Sequence, residues 1–222
     1  MRTWKDPDVK ALLRLDGSLT EDGDQPADAG EVDFIPTDRI PALIALMNEE
    51  GGPVQKDVRN QAAIYLAEWG YEEGVTYIEA EVSKLADERA CTYEHRMGDI
   101  DTTPESFMRA LIGYWTILSD KNCSEAGKNR IRPALQRIVN LAEQEQFEIN
   151  SILSWEINEY FGPQNLIGDR EVLGSYLIAM LDQRESGRHG YKPKKAVDFF
   201  EKYDPDFLER ELKARGLTKA DF

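Results

Sequence analysis

From residue 38 onward, apolar residues recur almost continuously at helical spacing. No set of alternating strand-like segments interrupts them. DRIPALIALMNEE places Ile40, Leu43, Ile44 and Met47 on one stripe, and Thr37 or Asp38 is positioned to cap its first turn. Gly51 to Pro53 breaks that helix, and KDVRNQAAIYLAEWG follows with Val58, Ala62, Tyr65, Leu66 and Trp69 on one side and Gly70 at its C-terminal cap. EEGVTYIEAEVSKLADERA carries Val75, Ile78, Val82 and Leu85 at the same period, and a loop is expected around Met97 to Pro104. Pro104 then stands at a first helical position. Pro133 predicts a helix that begins near Ile131 or Arg132, or is kinked there, and that carries Ile131, Leu135, Ile138 and Leu141. Helices are also expected in FEINSILSWEINEYFG, in DREVLGSYLIAMLDQRE (Val172, Tyr176, Leu177, Met180), in KKAVDFFEKYD and in DPDFLERELKARG.

Alternate helices share a central small or apolar pair: Ala62-Ala63, Ala110-Leu111, Ile152-Leu153 and Ala196-Val197. The pairs are spaced by 48, 42 and 44 residues, so the unit is a helix pair. One such pair cannot bury its apolar face alone, whereas stacked pairs share a continuous core. The expected fold is all-α, a right-handed α-α superhelix of about four helix pairs over residues 38–222 as a single domain. Residues 1–37 form an N-terminal segment, in which DPDVKALLRLDG reads as a short helix with Pro7 in its first turn and Gly17 at its end. Residues 16–33 hold Asp16, Glu21, Asp22, Asp24, Asp28, Glu31 and Asp33 and no basic residue, which reads as an acidic loop.

The segment Asp57 to Gly70 resembles the second helix of a HEAT-like repeat. The pattern is Asp-Val-Arg, two residues, Ala-Ala, two residues, Leu, three residues, Gly, and it is matched at Asp57, Val58, Arg59, Ala62, Ala63, Leu66 and Gly70. The resemblance implies a HEAT/ARM-like solenoid, close packing at the alanines, and a polar ladder between repeats drawn from the Asp and Arg. The motif is clear only in this unit. The other three helices lack the Val-Arg pair and are assigned by length, spacing and period.

Catalytic signatures are missing. The two histidines, His95 and His189, are 94 positions apart, and neither a Walker loop, a GxGxxG fingerprint nor a GxSxG elbow is present. Cys91 and His95 share a helical spacing, but two ligands do not make a zinc site, and Asp22 and Asp24 beside Gly23 miss the calcium-loop spacing. No catalytic residue, metal or cofactor is expected, and the chain reads as a non-enzyme. Among HEAT-like enzymes, the iron-dependent hydroxylases carry repeated His-Glu pairs, whereas Glu94-His95 here is single and reversed. The related DNA glycosylases use a basic concave face, opposite in sign to this chain. For the HEAT-like phycobilin lyases, no residue set here supports kinship.

Charge supplies the remaining constraint. Acidic residues outnumber basic ones 42 to 27, a formal net charge of −15, which repels nucleic-acid phosphates and attracts a basic protein. The same acidity also serves solubility. The start MRTWKDPDVK lacks a signal-peptide run, no stretch approaches the length of a membrane helix, and Cys91 and Cys123 stand alone, so a cytoplasmic protein without membrane contact is expected. Arg184, Arg188, His189, Lys192, Lys194 and Lys195 form a small basic segment, read as a solvated turn and helix start.

The second helices of a solenoid line its concave face. On the first of them the face away from the buried stripe shows Asp57, Gln61, Ile64 and Glu68, and on FEINSILSWEINEYFG it shows Glu148, Ser151, Trp155 and Glu159. Asp57, Gln61, Glu68, Glu148, Trp155 and Glu159 are therefore the candidate partner-binding residues, with Trp155 as an aromatic anchor among carboxylates. Trp69 and Trp115 read as core. The expected function is an acidic protein-binding module, in concrete form an immunity protein that occludes a basic toxin such as a nuclease. The alternatives are an adaptor or assembly factor holding a protein in its groove, and a HEAT-like enzyme such as a chromophore lyase.

Overall fold

The computed structural model describes residues 5–13, 37–49, 53–89, 103–144, 149, 153, 170–182 and 192–222. Every regular element among them is a helix. The chain divides into two compact units, Met1–Glu88 with Arg109–Ala134, and Arg89–Met108 with Leu135–Phe222.

The first unit opens with α1 (Pro7–Leu12), which has Pro7 in its first turn as the sequence predicts. It buries Val9, and Leu13 just beyond it is buried too, its carbonyl accepting the Tyr65 hydroxyl at 3.2 Å. A 3-10 turn, Thr37–Arg39, leads into α2 (Ile40–Met47). Thr37 and Asp38 lie in that turn, and the cap position falls to Arg39 without a side-chain bond, so the expected Thr or Asp cap is not formed. Ile40, Leu43, Leu46 and Met47 are buried.

Next come α3 (Pro53–Glu68) and α4 (Glu72–Arg89). The small residues of α3 determine how closely α4 approaches. A Cβ placed on Gly74 would lie 2.5 Å from both the Ala63 carbonyl oxygen and the Ala67 nitrogen. The two helices therefore touch backbone to backbone, and only a glycine there with alanines opposite permits it. The turn between them is a Schellman closure. Tyr71 N–H donates to the Leu66 carbonyl and Gly70 N–H to that of Ala67, both at 2.8 Å, with Gly70 at φ +81°. A Cβ on Gly70 would also strike Ile117 Cγ2 at 2.6 Å. The predicted stripe of α4 is buried at each position: Val75, Ile78, Val82 and Leu85.

The same closure recurs where α5 (Thr103–Asp120) hands over to α6 (Ser124–Gln144). Here Asn122 takes the left-handed conformation at φ 60°, and Cys123 N–H donates to Leu118 while Asn122 N–H donates to Ser119. α6 begins seven residues before the expected Ile131, and Pro133 sits inside it. The expected start near Ile131 or Arg132 is therefore not found, and the alternative, a helix running through the proline, is the one observed. The proline costs one helical hydrogen bond, but Pro133 and Asn129 are both exposed, so the carbonyl left without a donor stays on the solvated side. Trp69 and Trp115 are core residues, as expected. Arg39 lies over the Trp69 ring at 5.4 Å, Tyr65 stacks on it at 5.6 Å, and the Trp115 indole N–H donates to Ser124 Oγ at 3.0 Å.

Within the first unit, α3 packs against α2, α4 and the Arg109–Asp120 part of α5. This succession of neighbours is compatible with a helical repeat. Of the small or apolar pairs expected at repeat spacing, Ala62-Ala63, Ala110-Leu111 and Ala196-Val197 are all buried, while Ile152 lies outside the described residues.

In the second unit α7 (Arg170–Asp182), α8 (Lys192–Tyr203) and α9 (Pro205–Ala214) are arranged with α8 packed on both others. Tyr176, Leu177 and Met180 are buried, as predicted. Phe200 and Phe207 join α8 to α9 with ring centroids 5.2 Å apart, and Phe199 packs on Tyr203 within α8 at 4.9 Å. Asp204 caps α9 by accepting from Phe207 N–H at 3.2 Å, with Pro205 at the first helical position. Gly216 closes α9 in a third Schellman turn, with Leu217 N–H donating to Leu212. Arg215 then ties that end to Asp182 at 2.5 Å and to Glu211 at 3.0 Å.

Two substitutions test this packing. Gly74→Ala gains about 1 kcal/mol of helix propensity but drives a methyl into backbone that cannot swing aside. A net loss of about 1–3 kcal/mol in urea unfolding is expected. The Tyr203 hydroxyl oxygen is buried and finds no hydrogen-bond partner among the described residues. Tyr203→Phe keeps the ring contacts and removes that oxygen, so stability should rise by about 1 kcal/mol in the same assay.

Candidate interaction surface

The sequence-nominated residues on α3 separate by exposure. Asp57 is exposed, Gln61 and Ile64 are half-buried, and Glu68 is packed against α5. A Cβ on Gly113 would meet the Glu68 Cα and Cγ at 3.3 Å, so the glycine makes room for that side chain. Burial pushes the Glu68 carboxyl above the ordinary carboxylate range, and the Arg109 guanidinium opposes the shift without cancelling it. Of these residues, only Asp57 stands fully open to a partner. Glu148, Trp155 and Glu159 lie outside the described residues, as do the acidic loop 16–33, Cys91, His95 and His189. Of the basic segment, Lys194 and Lys195 are exposed at the start of α8, and Lys194 pairs with Asp198 at 3.5 Å.

The Asp and Arg of the HEAT-like motif do not pair with each other. Arg59 Nη1 instead donates to the Glu49 carbonyl at 3.0 Å, in the connection that leads from α2 to α3. Asp57 makes no ion pair among the described residues.

The strongest polar cluster lies elsewhere, and sequence reasoning missed it. Glu72, Thr76 and Glu79 share one face of α4 at helical spacing, and Arg130 of α6 covers all three. Its Nε pairs with Glu72, its Nη1 reaches Glu79 at 3.0 Å, and its Nη2 donates to Thr76 Oγ1 at 3.0 Å. The second Glu72 oxygen accepts the Tyr114 hydroxyl of α5 at 2.8 Å. Burial, then the hydrogen bond and charge of Glu72, push the Tyr114 hydroxyl up to about 12, so it remains a donor at any ordinary pH. One guanidinium and one carboxylate thus tie three helices together. The Glu72, Thr76, Glu79 spacing was readable, but its partner 58 residues away in sequence from Glu72 was not.

These contacts affect the outer charge. In the first unit Arg130, Lys56 and Lys84 are engaged by carboxylates. The exposed carboxylates Asp38, Asp57, Glu73, Asp120 and Glu125 make no ion pair among the described residues. Glu73 and Glu125 stand in the first turns of α4 and α6, where helix dipoles favour negative charge. Among the described residues, no group of three or more His, Cys, Asp or Glu side chains is arranged to hold a metal ion, and no helix is long and apolar enough to cross a membrane. No protein-family model matches the chain, nor does any curated protein or solved structure.

The Arg130 cluster gives a direct test. Arg130→Met keeps the aliphatic stem and removes the charge. Because Glu72 is half-exposed, solvent screens the pair, and a loss of about 1 kcal/mol in unfolding free energy is expected. In that background Glu79→Gln should cost less than it does in the wild type, and a double-mutant cycle measures the coupling.

Proposed function

We propose that the chain is a non-enzymatic, acidic protein-binding module built as a HEAT-like stack of helix pairs, and that it captures a basic protein. The observation that carries the reading is the charge. The chain has a formal net charge of −15, and the exposed carboxylates of Asp57, Glu73, Asp120 and Glu125 make no ion pair among the described residues, whereas Arg130, Lys56 and Lys84 are held by other carboxylates. A field of that sign raises the encounter rate with a cationic surface and disfavours nucleic acid.

In its concrete form the module is a cytoplasmic immunity protein. It occludes a basic toxin such as a nuclease by meeting the side chains with which that toxin grips phosphates. Steric cover requires no chemistry from the module, in keeping with a sequence that carries no catalytic signature. Aromatic anchoring by Trp155, with Glu148 and Glu159 beside it, completes the proposed surface.

Affinity capture from cells expressing the chain, followed by a salt titration of the purified pair, tests the reading. Binding should weaken steadily as ionic strength rises from about 0.05 to 0.5 M. Asp57→Lys with Glu73→Lys should slow association more than it speeds dissociation. Affinity that stays flat across the titration would sink the electrostatic account. A captured partner of neutral or acidic character would favour an adaptor role instead.

A further inference from the structure

The antiparallel α3–α4 pair is fastened differently at its two ends. Beside the turn, Gly74 meets the backbone of Ala63 and Ala67 directly. Away from the turn, side chains hold the helices. The Tyr77 hydroxyl donates to Asn60 Oδ1 at 3.1 Å. One turn further out, Glu81 receives Lys56 from α3 at 3.3 Å and Lys84 from its own helix at 2.6 Å. The rungs stay in step: moving back along α3 from Ala63 to Asn60 to Lys56 matches moving forward along α4 from Gly74 to Tyr77 to Glu81.

Asn60 and Glu81 are buried at 6% and 5% exposure, whereas the lysine side chains on Glu81 remain 33% and 61% exposed. A buried carboxylate stays ionised only while its partners stay in place.

We propose that the Glu81 carboxylate is the clasp of this open end. Its neutralisation lets the first turns of α3 and the last turns of α4 part, while the Ala63–Gly74 crossing stays closed. The charged groups facing Glu81 are Lys56 from α3 and Lys84 on α4. Tyr77 lies one turn away and feels both Glu81 and Arg59. Burial alone would raise the Glu81 carboxyl, but Lys84 and Lys56 outweigh it and hold it below its ordinary value near 4.5. The sign follows from linkage. The clasp is at full strength above that value and is lost as pH falls through the depressed folded value. Protonation of Glu81 leaves the ammonium groups of Lys56 and Lys84 without their counter-charge. Opening is local because the side-chain rungs are weaker than the backbone crossing.

Hydrogen exchange on the full chain decides. At neutral pH, Glu81→Gln should speed exchange about tenfold or more for amides of residues 56–60 and 81–85. Amides of residues 63–78 should keep wild-type rates. Lys84→Gln, at an exposed position, should give the same regional pattern in smaller measure, and Lys84→Arg should restore protection. The lysine pair keeps the test valid if Glu81→Gln does not fold. Uniform acceleration along the whole of α3 and α4 would overturn the proposal. So would unchanged exchange at the open end in Lys84→Gln.

Discussion

The closest constraint in the first unit is the crossing at which α3 and α4 meet through their backbones. It exists because three positions lack bulk: Ala63 and Ala67 on one helix, Gly74 on the other. Once that contact fixes the rotation of α4, the roles of its faces follow. Val75, Ile78, Val82 and Leu85 turn inward, Tyr77 and Glu81 fall on the seam with α3, and Glu72, Thr76 and Glu79 are left for Arg130 of α6. Two further glycines extend the same logic to α5. Gly70 admits Ile117, and Gly113 admits Glu68. Small residues thus determine which polar groups can meet, and the polar groups then hold what the small residues have placed.

The helical elements were largely legible in the sequence because burial on one side of a helix imposes a period of 3.6. Each buried position predicted for α4 was correct, as were Trp69, Trp115 and Ala62 on the buried side of α3. Helix ends were read less well, for definable reasons. Pro133 left two readings open, a helix start near Ile131 or a helix running through it with a kink, and the start is excluded because at an exposed position a helix tolerates the missing donor. Asn122 was overlooked as a terminator because glycine is the commoner signal for the left-handed cap that it adopts. Thr37 and Asp38 were read as caps by residue type alone, and a 3-10 turn occupies the place.

The polar contacts were less legible still. A HEAT-like motif implied that Asp57 and Arg59 would build a ladder, but Arg59 is used to hold the Glu49 carbonyl in the α2–α3 connection. The inter-helix tie that does form runs through Arg130, from a segment with no motif. Its contacts with Glu72 and Glu79 span 58 and 51 residues, and no local spacing rule reaches that far. Of the nominated face on α3, Glu68 illustrates the same gap. Helical spacing put it on the side away from the core, while Gly113 on another helix made a place for it to pack.

Internal ion pairs do not alter the net charge, since each removes one cation and one anion from the surface together. They alter where the charge is available. A carboxylate held by Arg130, or by Lys56 and Lys84, presents an approaching cation with a group already neutralised. Asp57, Glu73, Asp120 and Glu125, which make no ion pair among the described residues, present bare charge. Fields decay over about 8 Å at physiological ionic strength, so a docking partner would respond to these exposed groups and not to the overall count. The excess of 42 acidic over 27 basic residues ensures that such groups remain after every basic residue is paired. On this view the composition sets how many bare carboxylates exist, and the packing of α3 to α6 sets which carboxylates Arg130, Lys56 and Lys84 remove from that set.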